Sequence, residues 1–221
     1  MGTHVIAVAN QKGGVGKTTT TINVAASLAN QGQRVLLVDL DPQANATSGI
    51  GIEKREGGSV YESLVGDALL TDQIISTPYQ NLSVIPGEVN LCGAEIELPR
   101  MDDCLHRLQR ALHSVKMANV YDIILIDCPP SLGSLTLNAF VAADSLLVPI
   151  QCEYYALEGI SMVQRLIDQV RESGDNPGLN IVGIVMTMYD GRTRLSQQVL
   201  DEVRAHFSEV IFETTIARAT R

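Results

Sequence analysis

A glycine-rich loop near the N-terminus constrains this chain more than any other feature. Residues 10–19 read NQKGGVGKTT. They follow an apolar run at 5–9, which predicts a short buried strand, and they lead into residues 18–30, whose apolar spacing predicts a helix. A strand, a glycine turn and a helix start are the context in which backbone N–H groups and the helix dipole bind phosphate oxygens. The sequence therefore predicts a phosphate loop.

The residues of this loop have separate predicted roles. Phosphate contacts are predicted for Lys12, Gly13, Gly14, Val15, Gly16, Lys17, Thr18 and Thr19. In such loops the lysine at position 17 reaches the β- and γ-phosphates, and the hydroxyl at position 18 binds Mg²⁺. Gln11 stands where the pattern G-x-x-x-x-G-K-[ST] has its first glycine, and Lys12 adds a second lysine beside the glycines. This is the deviant form of the motif.

Two further apolar runs end in acidic residues. Asp39 and Asp41 follow the run 35–38, and Asp127 follows the run 123–126. Ligands collect at the carboxyl ends of strands in a parallel sheet. There Asp41 is a candidate to orient or deprotonate an attacking water, and Asp127 has the form of a Walker B carboxylate that holds Mg²⁺, often through water. Taken singly, a turn cap and an ordinary aliphatic strand explain these residues equally well, but together with the loop they favour a nucleotide site.

Apolar runs alternate with amphipathic segments along the whole chain. Strands are predicted at 5–9, 35–38, 82–85, 123–126, 146–150 and 181–186, with a possible last one at 210–212. Helices are predicted at 18–30, 103–116, 135–142, 157–172 and 195–206. This alternation predicts an α/β fold with a doubly wound, mostly parallel sheet flanked by helices. A length of 221 residues suits one domain over 1–221.

Composition argues against several classes of protein. No apolar run approaches the length that spans a bilayer. The four cysteines, which lack any C-x-x-C pair, are interpreted as single buried thiols rather than a metal site: Cys92, Cys104, Cys128 and Cys152. A net charge of −9 opposes general attraction to nucleic acid, so DNA binding would require a local basic patch.

Longer stretches resemble the deviant-Walker ATPases of the ParA/MinD group, in particular the chromosomal ParA (Soj-type) branch. Besides residues 10–20, they are DLDPQANAT at 39–47, GAEIEL at 93–98, DCPPSLG at 127–133, QCEYYALEG at 151–159 and the segment 186–195. The combination of DLDPQ with a later QCEYYALEG is specific to this branch and is not expected by chance in an unrelated protein. The resemblance covers nearly the whole chain and implies a P-loop ATPase that uses ATP/ADP and Mg²⁺.

The resemblance also implies a mechanism. ATP would drive formation of a sandwich homodimer in which Lys12 reaches the partner's phosphates, much as an arginine finger does. Lys17 would hold phosphates in cis, Thr18 and Asp127 would serve Mg²⁺, and Asp41 would belong to the switch that positions water. The dimer would bind DNA without sequence preference, and slow hydrolysis stimulated by a ParB-type partner would release it. Such a protein supports chromosome or plasmid segregation, in the cytoplasm on the nucleoid, with no stable membrane association.

The candidate DNA contacts are Arg192, Arg194, Arg218 and Arg221, which pairing of two chains would double. Solvated surface charge is the competing interpretation. Where the family usually reads I-P-R-N before a further segment with a closing helix, this chain reads Ile216-Ala217-Arg218-Ala219 and ends at Arg221. The chain is therefore expected to lack the family's usual C-terminal segment.

Four other classes compete with this interpretation. A membrane-positioning ATPase of the MinD kind would need a C-terminal basic amphipathic helix. Cluster-carrying relatives would need paired cysteines at a dimer seam. A non-catalytic DNA-binding module would have no use for Asp41 and Lys12. A GTPase is disfavoured because no N-K-x-D or T-K-x-D motif is present.

Overall fold

The computed structural model describes residues 2–54 and 56–219, which form one sheet with helices on both faces. The strands are β1 (His4–Val8), β2 (Val35–Asp39), β3 (Ile75–Ser76), β4 (Leu82–Ile85), β5 (Ile123–Asp127), β6 (Ser145–Gln151), β7 (Asn180–Tyr189) and β8 (Ile211–Ala217). The helices are α1 (Lys17–Asn30), α2 (Asn45–Gly49), α3 (Val60–Val65), α4 (Leu91–Glu97), α5 (Arg107–Ala118), α6 (Ser134–Ala142), α7 (Ala156–Glu172) and α8 (Arg194–His206).

The sheet has the order β3-β4-β2-β5-β1-β6-β7-β8. All neighbouring strands are parallel except β3 and β4, which pair antiparallel at one edge. Asp127 ends β5 directly beside Val8 of β1 on one side and Asp39 of β2 on the other. The chain winds outward from β1 in both directions, so a crevice opens at the carboxyl ends of the central strands. The predicted doubly wound, mostly parallel sheet is confirmed.

Two apolar cores cover the two faces of the sheet. Along β2, Val35 and Leu37 face the core formed with α1 and α2, and Leu36 and Val38 face the core formed with α3 to α8. Successive strand residues point to opposite faces, and both faces here are covered by helices. This is why the strands are continuous apolar runs in the sequence and do not alternate with polar residues.

Several short elements escape the periodic pattern. It predicts neither β3 nor helices α2 to α4, which have five to seven residues each and depend on tertiary packing. A local signal for α3 does exist, because Ser59 and Glu62 form a capping box. The helix predicted at 103–116 begins later, at Arg107, because Asp103 has a φ of 51° and forms a turn.

The cysteines correct one expectation. Cys128 and Cys152 are buried, but Cys92 is exposed and Cys104 is partly exposed. Cys92 lies on α4, a helix that the periodic pattern does not predict, so its outward face could not be assigned from the sequence. Separately, none of the helices in residues 2–54 and 56–219 is both long and apolar enough to cross a membrane.

Candidate nucleotide-binding site

The glycine-rich loop joins β1 to α1 at the carboxyl edge of the sheet. Gly14 and Gly16 have φ values of 76° and 89°, a left-handed conformation that glycine adopts without the strain of a Cβ. Gly16 is the N-cap of α1 and makes no side-chain cap, so the first N–H groups of the helix are available to a ligand. Lys12, Gly13 and Gly14 are exposed. The loop thus leaves backbone N–H groups accessible to a ligand, as a phosphate loop requires.

Side chains outside the predicted set hold this loop in place. Asn10 donates from Nδ2 to the Pro149 carbonyl of β6 at 2.8 Å, while its Oδ1 accepts the Lys12 N–H at 3.0 Å. Thr187 of β7 donates its hydroxyl to the Val15 carbonyl at 2.7 Å. Asn10 could have been found as the first residue of the motif. Thr187 has no local signal because its partner lies 172 residues away in the chain.

The two lysines of the loop lie in different surroundings. Lys17 is 7% exposed, and its Nζ donates to the Lys12 carbonyl at 3.0 Å. Burial lowers the pKa of Lys17, and the nearby carboxylates of Asp127 and Asp41 oppose this effect. The Lys12 side chain is half-exposed, and its ammonium forms an ion pair with Glu153, which follows β6. Lys17 therefore serves the loop itself, whereas Lys12 is held at the surface beside it.

Asp127 is a fully buried carboxylate beneath the start of α1. Its Oδ1 lies 2.8 Å from the Thr21 hydroxyl, and the Thr18 hydroxyl is close enough to affect its pKa. Its Oδ2 has no hydrogen-bond partner among the described residues. Burial, and then the charge of Asp39, raise the pKa of Asp127 to about 7. Thr21, which sequence reasoning missed, lies one helical turn after Thr18 on the same face of α1.

These residues fit a magnesium ion. Hydroxyl and carboxylate oxygens are the ligands that Mg²⁺ prefers, and the unpartnered Asp127 Oδ2 is a buried acceptor that a hydrated cation would satisfy. In the described part of the chain, no cluster of three or more His, Cys, Asp or Glu side chains could hold a metal by itself. A magnesium ion at Thr18 and Asp127 would therefore depend on water and phosphate for its other ligands.

Asp39 and Asp41 differ in their surroundings. Asp39 accepts hydrogen bonds from the Thr47 N–H and hydroxyl, both at 2.7 Å, and from the Asp41 N–H at 3.2 Å. Burial raises the pKa of Asp39 to about 6 against these hydrogen bonds. Asp41 is 7% exposed and accepts the Gln43 N–H at 2.8 Å. Both carboxylates therefore accept N–H groups of the turn that follows β2, and Asp41, whose charge also acts on Lys17, remains the candidate for chemistry.

A cleft of about 940 Å³ opens beside Gly16. It lies between α1 and the ends of β7 and β8, and its walls include Thr20, Asn23, Met188 and residues 216–219. Its volume is in the range of small-molecule sites. Met188 has a φ of 51°, a strained conformation of the kind that clusters at ligand sites. The cleft is large enough for a nucleoside next to the phosphate loop.

Three of the four candidate DNA-binding arginines gather beyond the end of β7. Arg192 donates from Nε and Nη2 to the Asp190 carboxylate at 2.9 and 2.8 Å, so its charge is compensated. Arg192, and more weakly Arg218, hold the pKa of Asp190 at about 2, which places Arg218 nearby. Arg194 begins α8 and is exposed. Arg221 lies outside the described residues.

Comparison with known proteins agrees with this geometry. Residues 3–181 match a family model described as an AAA domain. The chain is 50% identical over 219 residues to the chromosome partitioning protein ParA of Myxococcus xanthus (strain DK1622), covering 99% of this chain and 76% of that protein. It is 52% identical over 218 residues to the sporulation initiation inhibitor protein Soj of Bacillus subtilis (strain 168), covering 98% and 85%.

A solved structure shares the fold. It is named cobyrinic acid a,c-diamide synthase from Mycobacterium smegmatis, with bound ATP analogue and magnesium, and it matches with a TM-score of 0.89 and 42% identity over 98% of this chain and 88% of that one. ParA of Myxococcus xanthus and Soj of Bacillus subtilis, at 50% and 52% identity, are closer to this chain in sequence. With a phosphate loop and two acidic strand ends meeting at one edge of the sheet, and with this likeness over almost all of its length, the chain belongs to the ParA/Soj family of chromosome-partitioning ATPases.

Proposed function

We propose that this protein is an ATP-driven partition switch, which binds ATP with Mg²⁺, dimerises, binds DNA and is reset by slow hydrolysis. The observation that carries the proposal is that Lys17, Asp127 and Asp41 lie together at the phosphate loop. Burial lowers the pKa of Lys17, and the two carboxylates raise it. A buried cation beside buried carboxylates, under exposed backbone donors, suits a site for the triphosphate of a nucleotide.

In this proposal the substrate lies along the loop and the neighbouring cleft. The N–H groups of residues 13–19 and the Lys17 ammonium bind the phosphates, and the nucleoside occupies the cleft beside Gly16. The ATP analogue and magnesium bound by the protein from Mycobacterium smegmatis support this assignment. When bound at Thr18 and Asp127, Mg²⁺ would offset the negative charge of the β- and γ-phosphates. Asp41 holds or deprotonates the attacking water.

Lys12 completes the site of a second copy. Its side chain is exposed and paired with Glu153, so it is free to move to another anion. An exposed ion pair of this kind contributes only about 0–1 kcal/mol, and a partner's phosphates could replace Glu153 at little cost. Because Lys17 uses the backbone carbonyl of residue 12, movement of the Lys12 side chain leaves the cis site intact. ATP thereby acts as a dimerisation switch.

The dimer binds DNA without sequence preference through Arg194 and Arg218, with Arg192 contributing once it leaves Asp190. Arg221 is retained in this proposal on its sequence position alone. Two copies double the basic patch on a chain whose net charge is −9. A ParB-type partner stimulates hydrolysis and releases the DNA, and the protein acts in the cytoplasm, on the nucleoid. The membrane-positioning alternative of the MinD kind has no support from these relatives.

A DNA titration tests the proposal. Wild-type protein and a variant with both Arg194→Ala and Arg218→Ala are titrated with unrelated duplexes, with and without a non-hydrolysable ATP analogue, over a range of salt concentrations. We expect binding that requires the analogue, with an association constant whose logarithm falls linearly with the logarithm of the salt concentration. For the variant, the slope of this line should be smaller by about 0.9 for each DNA phosphate that it no longer neutralises. Equal DNA affinity with and without the ATP analogue, or the same salt dependence for the variant as for wild type, would contradict the proposal.

A further inference from the structure

The stretch GAEIEL has no role in the site described so far, yet one of its side chains reaches the loop that follows β5. Glu95 lies on α4 and is partly buried. Its Oε2 accepts the N–H of Ser134, the first residue of α6, at 2.6 Å, and its Oε1 accepts the Ser131 hydroxyl at 3.4 Å. One carboxylate therefore contacts both ends of the segment 131–134.

The loop is shaped around this carboxylate. A Cβ placed on Gly133 would lie 2.8 Å from Cδ of Glu95, closer than such atoms approach. The backbone of Gly133 does not itself require glycine, because its φ of −91° and ψ of −162° are open to any residue. Glycine at position 133 thus makes room for the Glu95 carboxylate and serves no unusual backbone conformation.

The same loop borders the phosphate site. It continues directly from Asp127, and Pro130 lies against the phosphate loop, with its Cβ 4.0 Å from where a Cβ on Gly13 would stand. On its far side, the Thr136 hydroxyl donates to the Ser131 carbonyl at 2.6 Å. Displacement of this loop would therefore change the wall of the site in which the phosphates are proposed to react.

We propose that Glu95 is a positioning residue for ATP hydrolysis, which holds the loop 129–133 against the phosphate loop. The inference rests on the proposed function, because it assumes that the site hydrolyses ATP. Glu95 does not touch the reacting atoms; it acts through Ser131 and Ser134. A carboxylate suits this place because it accepts two hydrogen bonds and faces the positive end of α6. A small misplacement of groups around a reacting phosphate is enough to lower the rate of reaction greatly.

The first test separates the turnover rate from substrate binding. Glu95→Ala should lower kcat about tenfold or more, while KM for ATP and the affinity for an ATP analogue change little. Glu95→Gln should restore most of kcat, since its amide oxygen still accepts the Ser134 N–H. Glu97→Ala is the matched control on the same helix, because Glu97 binds the Tyr61 hydroxyl and not the loop. Equal kcat values for Glu95→Ala and Glu97→Ala would overturn the inference.

Gly133→Ala provides a second, independent route to the same displacement. Its backbone tolerates alanine, and the three atoms nearest to the added methyl group all belong to the flexible end of Glu95, so the variant should fold as the wild type does. We expect the kcat of Gly133→Ala to fall as in Glu95→Ala, with no further loss in the double variant. Normal turnover in Gly133→Ala, or additive losses, would overturn the inference. If wild-type protein does not hydrolyse ATP at all, the proposed function has failed, and not the role of Glu95.

Discussion

Replacing Asp127 by asparagine should make the ligand-free protein more stable while impairing its magnesium site. Asparagine has nearly the same shape and can keep the hydrogen bond to Thr21, but it carries no charge. The pKa of Asp127 is about 7 in the folded chain, against an ordinary value of 3.8. Each tenfold change in proton affinity corresponds to about 1.4 kcal/mol, so ionised Asp127 destabilises the folded protein at about pH 8 by up to about 4 kcal/mol.

The sign of this effect sets its pH dependence. Because the pKa of Asp127 is raised on folding, the protonated form favours the folded state. The stability that this provides is complete below the unfolded-state pKa of 3.8 and is lost as the pH rises towards about 7. The advantage of Asp127→Asn should therefore grow with pH, from about 2 kcal/mol at about pH 5 to about 4 kcal/mol at about pH 8.

The assay is urea unfolding followed by far-ultraviolet circular dichroism, since the chain has no tryptophan. The protein is kept in EDTA without nucleotide, and a second series contains ATP analogue and magnesium. In the second series the difference in stability between Asp127→Asn and wild type should become smaller or change sign, because magnesium stabilises only the wild-type protein through Asp127. A variant no more stable than wild type at about pH 8 without ligand, or a stability difference that does not vary with pH, would refute the reasoning.

Asp122→Asn is the matched control, since Asp122 directly precedes β5, the strand that Asp127 ends. Hydrogen bonds from the Arg34 side chain and backbone lower the pKa of Asp122 to about 2. Its ionised form therefore stabilises the fold at pH values above 3.8, and this stability is lost as the pH falls towards about 2. The same chemical change at position 122 should lower stability at neutral pH, opposite in sign to the change at position 127.

Two further predictions concern the switch. Lys12→Ala should leave ATP binding by the monomer largely intact, because Lys17 bonds to the backbone of residue 12, but it should abolish ATP-dependent dimerisation; dimers of normal affinity in light scattering would contradict the trans role. Asp41→Ala should bind ATP and accumulate as an undissociated dimer, because the water is no longer oriented, and steady-state phosphate release at the wild-type rate would exclude Asp41 from the chemistry.

Local sequence was sufficient for the features that depend on neighbouring residues. The loop 10–19, the long helices and the strands that end in Asp39 and Asp127 follow from glycine placement and from apolar runs, which act over one turn or one strand. The parallel sheet also follows, because alternating strands and helices leave few ways to bury both faces. Even the departure at Gln11 and Lys12 is a local observation.

Tertiary structure decided which of these residues share an environment. The sequence places Asp39 and Asp41 two residues apart, but only the structure shows that Asp39 accepts the Thr47 N–H and hydroxyl while Asp41 accepts the Gln43 N–H. Lys12 contacts Glu153, which lies 141 positions away in the chain, and Glu95 contacts Ser134, which lies 39 positions away. Such contacts depend on how helices pack over the sheet, which local propensity does not encode. The sequence alone therefore identified the chemistry of the phosphate loop, and only the packed sheet determined which side chains hold it in place.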